Sequence, residues 1–326
     1  MPATPQQVPG PDTAGTDTAG ENTAGENTAG GDTAGENTAG GDTAGENTAV
    51  QADDGLFGPA SVTWRVMAEP VMWVAGVRAL YLQALHPRVM RGTWQNTAFA
   101  DPKQAWGRFL RTTEFVRVRT YGSLAEVERK GRRVRKLHAS LRGTDEDGTQ
   151  FRLDEPGLLQ WVHCAEVSSY VDVARRSGLG LSPADLDTFV DEQRRCAAVV
   201  GLDPAQVPGS IAGLDAYIEG IRPQLRVTPE ARRALLRSVN TPMPAAYLPL
   251  KLLVPGLTAL GFASQPRWAR RMYGVPDTPL TDLAVTVSLR ALHEGTARIP
   301  WPLPAPPVVR AARERVRAFQ RVSPTG

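Results

Sequence analysis

From Thr13 to Asn47 the chain repeats a five-residue unit, Thr-Ala-Gly followed by two small or polar residues, and this stretch decides what the N-terminus can become. Residues 1–54 hold almost nothing apolar beyond alanine, and the first aromatic residue is Phe57. Such a segment cannot bury enough surface to offset the entropy of ordering it. The unit is too short for a solenoid repeat, and glycine does not recur at every third position as a collagen helix requires. Residues 1–54 therefore read as a disordered acidic tail, and residues 55–326 as the folded part.

The tail hides a charge. It carries ten acidic side chains and no Lys or Arg, which leaves 37 basic against 24 acidic residues in the body, a net of +13. A body that basic attracts anions: nucleic acid, an anionic membrane surface or the carboxylates of a cofactor. Cys164 and Cys196 form neither a disulfide framework nor a zinc pattern. The N-terminus lacks the basic and apolar regions of a secretory signal, so the expected location is cytoplasmic.

After the tail, the punctuation is that of helices. Val71 to Leu85 is apolar and is expected to stop at His86-Pro87, where proline disfavours helix in the residue before it. Asp101-Pro102 opens another, and Ser123 with Glu126 makes a capping box for Leu124 to Leu141. A polar turn, Gly143 to Gly148, leads to Glu155-Pro156, which starts a helix running to about Arg176. Ser182-Pro183 starts the next, Ala184 to Val200. Further helices are expected over Ser210 to Ile221, Thr228 to Val239, Pro266 to Tyr273, Leu280 to Leu292 and Pro307 to Gln320. No run of alternating apolar and polar residues suggests a sheet. The expectation is an all-α fold, one multi-helix domain over 55–326, globin-like in character. Leu248 to Ala263 is strongly apolar, but it is interrupted by Lys251, Pro255 and Gly256 and is shorter than the about twenty residues of a spanning helix. Buried helix is the first reading, with peripheral membrane contact left open.

Four histidines can be weighed singly. His86 and His293 fall at expected helix C-termini, where the helix dipole favours an imidazolium. His138 shares a helical face with Val127, Gly131, Val134 and Leu141, and His163 shares one with Leu159, Val167 and Tyr170. Both rings therefore turn toward apolar surroundings. The bland reading is a hydrogen-bonded core histidine; the other is a metal or haem ligand, a common role of neutral imidazole. Between them in sequence, Arg129 to Lys136 carries six basic residues. Three readings of that run stay open: a solvated helix face, a nucleic-acid surface without aromatic residues to stack bases, or neutralisation of carboxylates such as haem propionates.

Several stretches resemble the haem oxygenase family of the latex-clearing protein (rubber oxygenase) and the mycophenolic-acid pathway oxygenase. They are Leu85-His86-Pro87, Arg111-Thr112-Thr113 with Tyr121-Gly122, and Arg132-Arg133-Val134-Arg135-Lys136-Leu137-His138. Gly143, Leu158-Leu159-Gln160-Trp161-Val162-His163 and Arg270-Arg271-Met272-Tyr273-Gly274 complete the set. The resemblance implies a helical fold around haem b, O2 as co-substrate and an apolar, alkene-containing small molecule as substrate. It places His163 as the proximal iron ligand, Arg129, Arg132, Arg133 and His138 at the cofactor, and Glu114 with Arg129 in catalysis, and it calls for no nucleic acid. The family's Arg-x-x-Lys-Thr motif, whose lysine can take the distal iron position, reads Arg129-Lys130-Gly131-Arg132-Arg133 here. Arginine keeps its proton and is a very poor iron ligand. Two other readings accompany this one: a helical or haem-binding protein without catalysis, and a binder of nucleic acid or membrane surface through the basic helix and Val309 to Val322.

Overall fold

Helices with local start signals account for nearly all of the structure, a computed structural model that describes residues 55–97, 102–239, 248–275, 278–298 and 307–322. The repeat tail lies outside the described residues. Residues 50–326 fall in one unit, all-α apart from a two-stranded hairpin. Its central element is α6 (Pro156–Ser177), which opens on a proline at the first helical position and ends at Gly178, whose φ of 78° only glycine adopts readily. Its buried residues, among them Leu158, Trp161, Cys164, Val167, Tyr170 and Val173, lie around most of its circumference. A helix apolar on nearly every side must sit inside.

On α6 pack α2 (Met72–Gln83), α7 (Pro183–Val199), α8 (Ile211–Ile221) and α12 (Pro279–Arg298), with α1 (Val62–Met67) packed on α7 and α10 (Leu248–Ala263) on α2. Val66, Val74, Val173, Phe189 and Leu289 form the heart of the main core. A second cluster under α3 (Pro87–Gln95) and α11 (Arg267–Met272) joins Leu82, Leu85, Met90, Trp161 and Tyr273. The helix α4 (Pro102–Tyr121) packs on α1 and on α5 (Leu124–Ser140), α5 also packs on α7, α9 (Pro229–Val239) packs on α3 and α10, and α13 (Pro307–Val322) lies on α4. The capping box at α5 forms, with Ser123 accepting from the Glu126 backbone and the Glu126 carboxylate accepting from the Ser123 N–H.

Four sequence expectations are corrected. Gly143 to Gly148 is not a bare turn: β1 (Arg142–Thr144) and β2 (Gln150–Arg152) pair antiparallel around it. Strands of three residues are too short to reveal a period of two. Gly143 sits opposite Phe151, whose ring would stand 2.2 Å from any Cβ there. Second, the helix expected to stop at His86-Pro87 does stop before it, at Gln83, but Pro87 then starts a further helix, α3, not expected from the sequence. Proline suits that position because it lacks the N–H that would find no intrahelical partner there. Third, His86 is consequently the N-cap of α3, at the positive end of a helix dipole. Burial, then Arg88 and Arg226, hold its pKa below the ordinary value. His293 lies more than a turn inside α12, which runs on to Arg298, and it faces Glu69 at 3.3 Å. Fourth, Pro255 lies within a continuous α10, whose Leu257, Leu260 and Ala263 pack on the core. Among the described residues no helix is long and apolar enough to cross a membrane.

Where α10 crosses α2, a Cβ on Gly261 would stand 2.7 Å from Val77 Cγ1, whereas nothing lies within 4 Å of one on Gly256 in the same helix. Gly261→Ala should therefore cost about 1–3 kcal/mol by overpacking, while Gly256→Ala should stabilise by up to about 1 kcal/mol through helix propensity. Thermal melts that move both variants the same way would rule out the tight crossing.

Candidate functional site

The site begins at His163, in the second turn of α6. Its side chain is 6 % exposed, and burial, with help from Arg119 and against Glu166, lowers its pKa to about 4. At neutral pH the ring is uncharged and offers a lone pair. No hydrogen bond from a described residue engages it. The two thiols in reach of this core are poorer donors: burial raises Cys164 to about 12 and Cys196 to about 11, so neither is a thiolate at neutral pH.

One turn on, Glu166 meets Arg119 of α4. The Arg119 guanidinium donates to both carboxylate oxygens, at 2.8 and 3.3 Å, and its side chain is 5 % exposed. Paired this way, two charges that would each be costly inside satisfy one another. Arg119 also lies 5.8 Å over the Phe115 ring, and its Nε is buried without a hydrogen-bond partner. The pair ties α4 to α6 beside the imidazole. Arg119 was not singled out from the sequence. Its signal was a lone arginine among Val118, Thr120 and Tyr121 at the buried end of α4, with an acid three residues after His163.

Further along α2 the fold leaves apolar surface open. The antiparallel register of α2 on α6 is fixed by Gln83, which donates to the Val162 carbonyl at 3.0 Å and accepts from Trp161 Nε1 at 3.1 Å. Arg78 Nη1 donates to Ser169 Oγ at 2.8 Å on the same seam. Leu80 lies on the α2 stripe with Gly76 and Gln83 yet is 48 % exposed, and Trp73, two turns earlier, is 38 % exposed. Trp73 reaches Phe109 of α4 at 6.3 Å, Trp106 stacks on Phe109 at 5.3 Å, and Arg117 lies 5.4 Å over Trp73. The described residues from Trp106 to Arg117 are partly buried or exposed, none fully buried. Apolar aromatic surface is thus left uncovered between α2 and α4.

The remaining sequence candidates lie on α4 and α5. His138 is half-buried, its Nδ1 is sealed without a partner, and burial followed by Arg108 lowers its pKa. Arg129, Arg132 and Arg133 are exposed, and Arg132 donates to Glu128 at 3.2 Å. Glu114 is exposed and takes Lys130 Nζ at 2.7 Å, rather than Arg111 or Arg117. The fold thus brings Glu114 to the basic run of α5, whereas the charged neighbours of His163 are Glu166 and Arg119.

Residues 64–298 match the protein-family model described as ER-bound oxygenase mpaB/B′/rubber oxygenase, catalytic domain. No curated protein and no solved structure matches the chain.

The neutral His163 has a consequence for stability. Between the ordinary pKa of 6.5 and about 4 in the fold, the unfolded chain takes up a proton that the folded chain refuses. The contribution of the ring is complete above pH 6.5 and is lost as pH falls toward 4, and His86 and His138 act in the same sense. Denaturant unfolding of the apo-protein should weaken across this window, with a shallower loss in His163→Gln. Identical slopes for the two proteins would mean that His163 is not held neutral by burial.

Proposed function

Because the chain belongs to the ER-bound oxygenase mpaB/B′/rubber oxygenase catalytic-domain family, we propose that it is a haem b-dependent oxygenase acting on an apolar, alkene-containing small molecule. The observation that carries the haem reading is the buried, uncharged imidazole of His163. The donor chemistry fits that cofactor: His163 is a neutral nitrogen donor with Arg119 near it, and α4 and α5 carry further guanidiniums of the kind that receive carboxylates. Haem, when bound, supplies an iron centre at which O2 is activated for oxidation or oxidative cleavage.

In this reading His163 would hold the iron, and the Arg119–Glu166 pair holds α4 and α6 at a fixed spacing beside it. His138, half-buried on α5 with a sealed Nδ1, would line the cofactor site. Arg129, Arg132 and Arg133 attract the carboxylates from the α5 surface, and Glu114, adjoining them through Lys130, is the candidate proton carrier. Arg132 takes the place of the family motif's lysine; it is 64 % exposed and bonded to Glu128, so it offers no lone pair to a metal. This departure from the family motif argues for a small substrate different from rubber.

Protein expressed with added haem should show a Soret band that weakens or shifts in His163→Ala, and oxygen uptake that depends on an alkene substrate. A colourless wild-type protein under those conditions would sink the haem reading. A coloured protein inert toward every alkene offered would leave a haem carrier and remove the oxygenase chemistry.

A further inference from the structure

On the face of α6 turned away from His163, a half-open cleft of about 320 Å³ lies among α6, α8, α11 and the start of α12. At 100° per residue, Asp172 stands half a turn from His163, so the two sites use opposite sides of one helix. The cleft is built from charge. Arg78, 3 % exposed, donates through Nε to the Ser264 carbonyl at 3.0 Å and has the Asp172 carboxylate 3.5 Å away. Asp172 is shared with Arg176 at 3.4 Å, and Asp282 is shared between Arg267 at 2.6 Å and Arg270 at 2.8 Å.

Four guanidiniums thus divide two carboxylates. Arg175 adds a fifth and has no carboxylate partner among the described residues. Asp215, exposed on the α8 wall, is the one further acid lining the cleft. Burial lowers the pKa of Arg78; Asp172 opposes this, and Arg176 and Arg270 add to it. The cations repel one another in a poorly solvated place, and an anion seated among them would relieve that repulsion. The rest of the lining is apolar: the edges of Val171, Leu214 and Ile218, each under a tenth exposed, and the half-buried Trp268 ring, which has Arg222 5.2 Å over it. The volume is at the small end of ligand pockets, which run from about 300 Å³ upward.

We propose that this cleft is a second binding site, separate from the one at His163, for a small amphipathic carboxylate. Arg175 and Arg267 take the carboxylate, and Leu214 and Trp268 pack on its apolar body. Asp215 disfavours ligands with a second negative charge. The assignment does not depend on haem, since none of its residues lies on the His163 face.

The test is calorimetric titration of the full chain with sodium octanoate, beside octylammonium and octanol as cationic and neutral counterparts. Octanoate should saturate one site, with both counterparts at least about tenfold weaker. Arg175→Glu should weaken octanoate about tenfold and Asp215→Asn should tighten it. Both side chains are exposed, so each variant should keep the wild-type melting curve. His163→Ala should bind octanoate as the wild type does. Octanol binding as well as octanoate, or affinity unmoved by both charge variants, would overturn the site. Loss of octanoate binding in His163→Ala alone would place the anion on the other face of α6 and overturn it equally.

Discussion

The seam between α2 and α6 sets the geometry of everything functional in this fold. Gln83 bonds both ways across it, to Val162 and from Trp161, and Arg78 reaches Ser169. A buried polar group left without its partner costs about 1–3 kcal/mol. Sliding either helix by one residue would strand several such groups at once, so only one register is tolerable. That register also fixes rotation. It aims His163, Glu166 and Tyr170 to one side of α6 and Asp172 and Arg175 to the other, so one helix serves two unlike environments.

Arginine accounts for much of the body's positive charge, and several arginines are interior. Arg78, Arg91, Arg119 and Arg270 are all nearly buried, and each has an acidic partner on another element. These pairs join α2 to α6, α3 to the hairpin, α4 to α6 and α11 to α12. An excess of basic residues that looks in the sequence like a surface for polyanions is thus partly an internal scaffold. Guanidinium suits this role because its donors are rigid and can serve a carboxylate and a carbonyl together, as Arg270 does with Asp282 and Ala263.

Much of the helical plan was legible because helix starts are written locally. Ser123 with Glu126, Pro156 and Ser182-Pro183 each satisfy or remove an orphan N–H, and the helices begin at those places. The inward aim of His163 was legible too, since its neighbours at helical spacing are apolar. The hairpin was not, because Gly143 is explained only by Phe151 packing across the strand pair. Nor was the Arg119–Glu166 pair, whose members are 47 residues apart. The run from Arg129 to Lys136 shows a further limit. Composition marks it as basic, but only packing decides that Lys130 and Arg135 are half-buried while Arg129, Arg132, Arg133 and Lys136 are exposed.

The burial of Cys164 and Cys196 bears on durability. Sulfur is the first casualty of reactive oxygen, and thiolates at a surface are oxidised soonest. Here both sulfhydryls are sealed in the core and held protonated well above physiological pH. In an oxygenase, thiols sealed and protonated in this way present no surface thiolate for reactive oxygen to attack.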